Sequence, residues 1–236
     1  MKSLGTELSS SEKEEIERLS EENAALRKKL AERDLEIYRL QCAEKGLDPM
    51  TKLPLMIGFE NKCISAMKKF EDTKKVAPLT PIYNKVKHAR GGTKHCIGYV
   101  DLDGVAWANK AYGHEVGDKI IEEAANILNR RRRPEDLIVR RQMGGDEFLF
   151  LFLGTENEEA GTKPLLDART HFEELIARRF PYLVGKVSFS FAVKMVNSGM
   201  TEDQVREAIN EADANTFVWK DRRKMSRVAT NLQGEE

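Results

Sequence analysis

The chain has 236 residues, with 39 Lys and Arg against 39 Asp and Glu, 40% hydrophobic and 33% charged. A formal net charge of zero argues against a dedicated nucleic-acid binder, and the length accommodates one core domain plus an appendage. No apolar run reaches membrane-spanning length, the N-terminus lacks a signal-peptide core, and Cys42, Cys63 and Cys96 are odd in number and unpatterned; a cytoplasmic protein with reduced thiols and no membrane partner is expected.

Ser11 with Glu14 forms a capping-box pattern that opens a helix. Ile16, Leu19, Asn23, Leu26, Leu30, Arg33, Ile37 and Leu40 then follow at alternating three- and four-residue steps, the seam of a heptad repeat. Asn23 at an a position favours a two-stranded, in-register pairing, and in a parallel dimer Glu22 meets Arg27 and Lys29 meets Asp34. A parallel coiled-coil homodimer is expected; the competing reading is an amphipathic helix packed on its own domain. Gly46 to Pro54, with Pro49 and Pro54, breaks the helix. The expected domains are therefore a dimerisation helix over 1–45 and a second domain over 46–236.

In the second domain the pattern predicts a helix over Ile57–Phe70 and a long polar loop over Glu71–Lys94. A strand over Cys96–Val100 runs into Asp101-Leu102-Asp103-Gly104. Residues two apart on an extended chain share a face, so Asp101 and Asp103 can point at one spot. Asn109 to Asp118 reads as a polar turn with two glycines, followed by a helix to Arg131 and the basic run Arg130–Arg133. Two apolar arms, Leu137–Val139 and Phe148–Leu153, flank Gly144-Gly145-Asp146-Glu147, a hairpin signal with two acids at its tip. A helix over Lys163–Arg179, a strand over Lys186–Val193 and a helix over Glu202–Trp219 complete the domain. The central order is strand, helix, strand, strand, helix, strand: an α+β, ferredoxin-like arrangement.

In that arrangement the first strand and the hairpin are neighbours, so Asp101 and Asp146 can converge. Paired carboxylates plus substrate phosphates are the usual holders of Mg²⁺. An exposed polar hairpin tip is the bland alternative. Asn109 and Asp118 offer an amide and a carboxylate for a purine edge, and Lys220 and Lys224 lie one helical turn apart, suited to a triphosphate.

Gly144-Gly145-Asp146-Glu147-Phe148 resembles the signature of the GGDEF family of diguanylate cyclases. Asp101-Leu102-Asp103, Asn109, Tyr112-Gly113-His114 and Gly117-Asp118 resemble its second motif. Asp48, Thr51 and Leu53-Pro54 resemble its opening motif, and Ala212-Asp213, Phe217 and Lys220 its last helix. The resemblance implies a nucleotidyl-cyclase fold, with a central antiparallel sheet flanked by helices. It implies condensation of two GTP into cyclic di-GMP and two pyrophosphates at a homodimer interface. Asp101, the Leu102 carbonyl and Asp146 would carry Mg²⁺ or Mn²⁺, with Asp101, Asp146 and Glu147 forming the catalytic set. Asn109, Asp118, Asp103, Gly144, Gly145, Lys220 and Lys224 would bind substrate.

Several positions differ from the family pattern. Val105-Ala106 stands for Phe-Lys, Lys110 for Asp, Leu55-Met56 for Asn-Arg, and Gln142 for an Arg two residues before the glycines. The inhibitory product site implied by the family, Arg-x-x-Asp, maps to Arg133 and Asp136 but lies two residues too far upstream. On a strand that displaces each side chain by roughly 6–7 Å, so tight feedback by cyclic di-GMP is not expected unless a bulge, or a longer loop at Pro134, absorbs the extra residues and restores the site. A catalytically inactive module that binds GTP or cyclic di-GMP, a cyclase for another nucleotide, and a scaffold built on the coil are the rival readings.

Overall fold

The computed structural model describes residues 10–76, 94–142 and 145–216. The chain divides into two compact units, Met1–Lys45 and Gly46–Glu236. The first holds one helix, α1 (Ser10–Glu44), about 50 Å long at 1.5 Å per residue. Its heptad positions stand open to solvent: Ile16 is 53% exposed, Leu26 56%, Leu30 62% and Leu40 61%. Asn23 donates from its side-chain nitrogen to the Leu19 carbonyl at 2.9 Å, so its amide is bonded within its own helix.

The second unit contains α2 (Phe59–Val76), β1 (Lys94–Asp103), α3 (Val105–Tyr112), α4 (His114–Arg131), β2 (Leu137–Arg140) and β3 (Glu147–Thr155). There follow α5 (Glu158–Arg179), a short 3₁₀ turn at Pro181–Leu183, β4 (Ser188–Val196) and a helix over 202–216, here α6. The four strands form one sheet in the order β2-β3-β1-β4, every neighbouring pair antiparallel. This is the expected split arrangement, with β3 inserted between β1 and β2.

Alternation along the strands divides the core between two faces. Val100, Leu102, Phe148, Phe150 and Phe189 join the apolar stripes of α4 and α5 on one face. Ile97, Tyr99, Leu149 and Leu151 meet α2 and α6 on the other. Phe59, Cys63 and Met67 recur at four-residue steps on α2 and are wholly buried, which is why that helix docks by one edge. Burial pushes the Cys63 thiol up and keeps it protonated. All three cysteines are free and buried.

Several sequence-derived boundaries are corrected. Asn109 to Asp118 is not a turn: it spans the end of α3 and the start of α4, parted at Gly113 with φ 89°. Its polar residues belong to helices whose apolar positions, Val105, Ala108, Ile120 and Ile121, are buried. Strand β1 runs three residues past Val100, because antiparallel partners on both sides continue to Asp101 and, on β4, to Asp103. Helix α2 continues to Val76, beyond Phe70. Helix α5 starts at Glu158 rather than Lys163, because the Asn157 side chain caps it by accepting from the Ala160 N–H at 2.9 Å.

The hairpin is fastened to the segment that follows α1. Arg140, 1% exposed, pairs with Asp48, also 1% exposed, at 2.7 Å. The same guanidinium donates from Nε to the Gly145 carbonyl at 2.9 Å and from Nη2 to that oxygen as well. Asp48 also accepts from the Thr51 N–H and hydroxyl, each at 2.7 Å. Removing one partner of a buried ion pair leaves an uncompensated charge, at a cost of about 3–5 kcal/mol. Asp48→Ala is therefore expected to lower the unfolding free energy of this unit by that amount, read as a lower urea midpoint at an unchanged m-value. A loss below about 1 kcal/mol would show that the pair adds little beyond the packing around it.

Candidate functional site

The site lies where β1 and β3 end side by side. Asp101 faces Glu147 across the β1–β3 pair and Ser190 across the β1–β4 pair. One residue further on, the Leu102 N–H donates to the Asp146 carbonyl at 3.1 Å. Backbone pairing thus brings Asp101, Leu102, Asp146 and Glu147 together at one end of the two central strands. Asp103 shares the Asp101 face, yet its carboxylate is drawn to β4, where the Ser190 hydroxyl donates to it at 2.8 Å. Gly104 then turns the chain into α3 with φ 87°; a Cβ there would lie 2.2 Å from the Lys186 carbonyl oxygen, so only glycine fits.

The Asn109 amide lies against Gly117, the residue before Asp118, through the close approach of α3 to α4. A Cβ at Gly117 would lie 1.8 Å from Asn109 Oδ1, so this glycine makes room for the amide. Asn109 Oδ1 is buried with no hydrogen-bond partner among the described residues. Such an orphaned acceptor is costly unless a donor arrives. Asp118, beside it on α4, is exposed. Gly144, Lys220 and Lys224 lie outside the described residues.

Asp101, Asp146 and the Leu102 carbonyl form a set of hard oxygen donors. Among the described residues no three His, Cys, Asp or Glu side chains group as a metal cage. Hard oxygen donors of this kind are the ligands that Mg²⁺ takes alongside waters.

The structure adds a network that the sequence reading did not single out. The Tyr99 hydroxyl donates to Glu147 Oε1 at 2.6 Å. Arg141 Nη1 reaches the same Oε1 at 3.0 Å, Asp213 Oδ2 on α6 at 3.2 Å, and the Tyr99 hydroxyl oxygen. Its guanidinium carbon lies 5.4 Å from the Tyr99 ring centroid. Burial and the neighbouring Glu147 push the Tyr99 hydroxyl up, so it stays a donor. Desolvation pulls Arg141 down, but Tyr99, Glu147 and Asp213 together outweigh it and raise it. The available signal was Tyr99 itself, a hydroxyl within an apolar strand that must find a partner when buried.

One feature explains two departures from the family pattern. The β2–β3 register is unbroken from Leu137 against Leu151 to Arg140 against Phe148, and the Leu153 N–H donates to Asp136 Oδ1 at 2.9 Å. No bulge lies between Asp136 and Arg140, so the two surplus residues sit beyond Arg140, in the tip. The Gly145 N–H closes that tip on the Gln142 carbonyl at 3.2 Å. Without the surplus, Arg140 takes the place of the Arg before the glycines, and Arg133 and Asp136 recover the family spacing. Asp136 is 1% exposed and also accepts from the Arg133 N–H at 3.1 Å, while Arg133 Nη1 is buried without a partner among the described residues.

The family described as diguanylate cyclase, GGDEF domain matches residues 79–226. The probable diguanylate cyclase DgcT of Escherichia coli (strain K12) is 31% identical over 125 residues, 49% of this chain and 27% of that protein. The bifunctional diguanylate cyclase/cyclic di-GMP phosphodiesterase MucR of Pseudomonas aeruginosa is 37% identical over 73 residues, 31% of this chain and 10% of that protein. The matched segments thus span little more than a quarter of these curated relatives at most. Among solved structures, the GGDEF domain of DgcB from Caulobacter crescentus in complex with c-di-GMP aligns with a TM-score of 0.54 at 22% identity, covering 74% of this chain and 90% of that one. A structure of the coiled coil and GGDEF domain of the same protein gives 0.53 at 20% identity, covering 84% and 95%. These structural likenesses speak for the fold, and the family match covers more than half of the chain. The chain belongs to the diguanylate cyclase GGDEF-domain family.

Proposed function

We propose that this chain is a diguanylate cyclase that condenses two GTP into cyclic di-GMP and two pyrophosphates. The observation that supports the reading is the backbone bond from Leu102 to Asp146, beside the Asp101–Glu147 pair, which brings the Asp101 and Asp146 backbones to one end of the two central strands. The two carboxylates and the Leu102 carbonyl hold Mg²⁺, which supplies positive charge at the triphosphate. Asp118 accepts from guanine N1–H and N2–H, and the orphaned Asn109 Oδ1 stands ready for a further donor of the base. Glu147 supports the site, and Lys220 with Lys224 binds phosphate. Each 3′-hydroxyl attacks the α-phosphorus of the other GTP once, forming one P–O bond, breaking the bond to the α–β bridging oxygen and releasing a proton, so the two attacks give cyclic di-GMP and two pyrophosphates.

One chain presents one GTP, so two chains are required. The open stripe of Ile16, Leu26, Leu30 and Leu40 is where a second copy docks, in a parallel coiled coil. With Arg133 and Asp136 at the family spacing, feedback binding of cyclic di-GMP belongs to the proposal too, and turnover against added cyclic di-GMP tests it. A second reading, a GTP-binding module without turnover, draws on Ala106 where relatives carry Lys. Incubation with GTP and Mg²⁺, followed by mass spectrometry of the products, separates the two.

Asp146→Ala is expected to reduce cyclic di-GMP formation to a few per cent or less while the folded state persists; substantial turnover at saturating Mg²⁺ would remove Asp146 from the metal set. Asp118→Ser is expected to weaken discrimination of GTP from ATP by about 1–3 kcal/mol, since adenine lacks the matching donors. An unchanged ratio of kcat/KM for the two nucleotides would exclude Asp118 from the guanine site. The double substitution Leu26→Glu with Leu30→Glu is expected to give a monomer by sedimentation velocity, with activity returning only at high protein concentration. A dimer that survives both charges would place the contact elsewhere.

A further inference from the structure

The surplus in the hairpin tip brings Arg141 to a position that ties three elements together. Its Nη1 reaches Tyr99 on β1, Glu147 on β3 and Asp213 on α6. Among the described residues these are its polar partners, and all three use the one nitrogen. Tyr99 and Arg141 both engage Oε1 of Glu147, so a single carboxylate oxygen is held from two sides. The arrangement is half-enclosed: Arg141 is 33% exposed, Glu147 21% and Asp213 42%. A surface pair of such exposure adds little to stability. What the clamp does supply is orientation. Glu147 is otherwise a long, rotatable side chain at the end of β3, next to Asp146.

We propose that Arg141 is a positioning residue for the cyclase reaction, orienting Glu147 beside the metal carboxylates and tying that orientation to α6 through Asp213. This rests on the cyclase reading above. Outer partners that orient the groups around a metal change affinity or activity by about 10–100-fold when lost. Arg141 does so from within the lengthened tip, between the strand-end Arg140 and the glycines. The clamp also ties the hairpin tip to α6 through Asp213.

The test compares wild type, Arg141→Met, Arg141→Lys and Asp213→Asn in the full chain. The readouts are kcat and KM for GTP, Mn²⁺ affinity by electron paramagnetic resonance with a non-hydrolysable GTP analogue, and thermal unfolding. Arg141→Met is expected to lower kcat about 10–100-fold and to weaken Mn²⁺ binding correspondingly, with KM and folding little changed. Arg141→Lys is expected to recover part of both, because an ammonium can reach Glu147 but cannot span all three partners at once. Asp213→Asn is expected to fall between wild type and Arg141→Met. Wild-type kcat and Mn²⁺ affinity in Arg141→Met would overturn the proposal, as would losses that merely track the fraction unfolded. If wild type makes no cyclic di-GMP, the cyclase reading fails, and the Mn²⁺ affinities alone decide whether Arg141 orients the metal site.

Discussion

The buried pair between Arg140 and Asp48 is the constraint on which the rest of this unit depends. Both side chains are almost entirely withdrawn from water, and Arg140 is among the largest fully buried side chains in the protein. A charge in that environment must be answered from every side. Here the answers come from the Asp48 carboxylate and the Gly145 carbonyl, while the Arg140 backbone bonds to Pro54 and Met56. The segment after α1, the end of β2 and the tip of the hairpin are thereby joined at one point. Asp146 follows immediately after the carbonyl that Arg140 holds.

The sheet provides the second half of the arrangement. Its two faces are covered by separate sets of helices, and β1 and β3 are apolar along most of their length. Carboxylates would be costly deep within such strands. At the shared end of β1 and β3 the cover stops, and Asp101, Asp146 and Glu147 can stand beside one another at partial exposure. Close backbone approaches complete that end. Gly104 admits the Lys186 carbonyl, and Gly117 admits the Asn109 amide.

The lengthened tip gives this chain a feature of its own. Two surplus residues leave the strand register intact, because a hairpin absorbs added length in its loop at small entropic cost. The added segment carries Arg141 back against Tyr99, Glu147 and Asp213, so extra loop length becomes an added contact to α6. The same lengthening accounts for the unusual spacing of Arg133 and Asp136. Both are consequences of one local change rather than separate losses.

The sequence alone determined the split α+β arrangement and the pairing of the Asp101 strand with the strand that follows Asp146, but not helix α3. These follow from hydrophobic period and from paired strands, which depend on near neighbours and on one long-range pairing. Periodicity was a poor guide where polar residues sit on helices. Asn109 to Asp118 looked like a turn because its apolar positions are few and its glycines prominent, while α3 and α4 are held in place by burial against the sheet. Spacing was a poor guide at the hairpin, since counting residues cannot say whether a surplus lies in a strand or in its loop. Only backbone pairing decides that, and it assigned the surplus to the tip. The clamp on Glu147 was likewise invisible in sequence. Tyr99, Arg141 and Asp213 lie far apart along the chain, and only the packing of α6 on the sheet brings a carboxylate to the guanidinium.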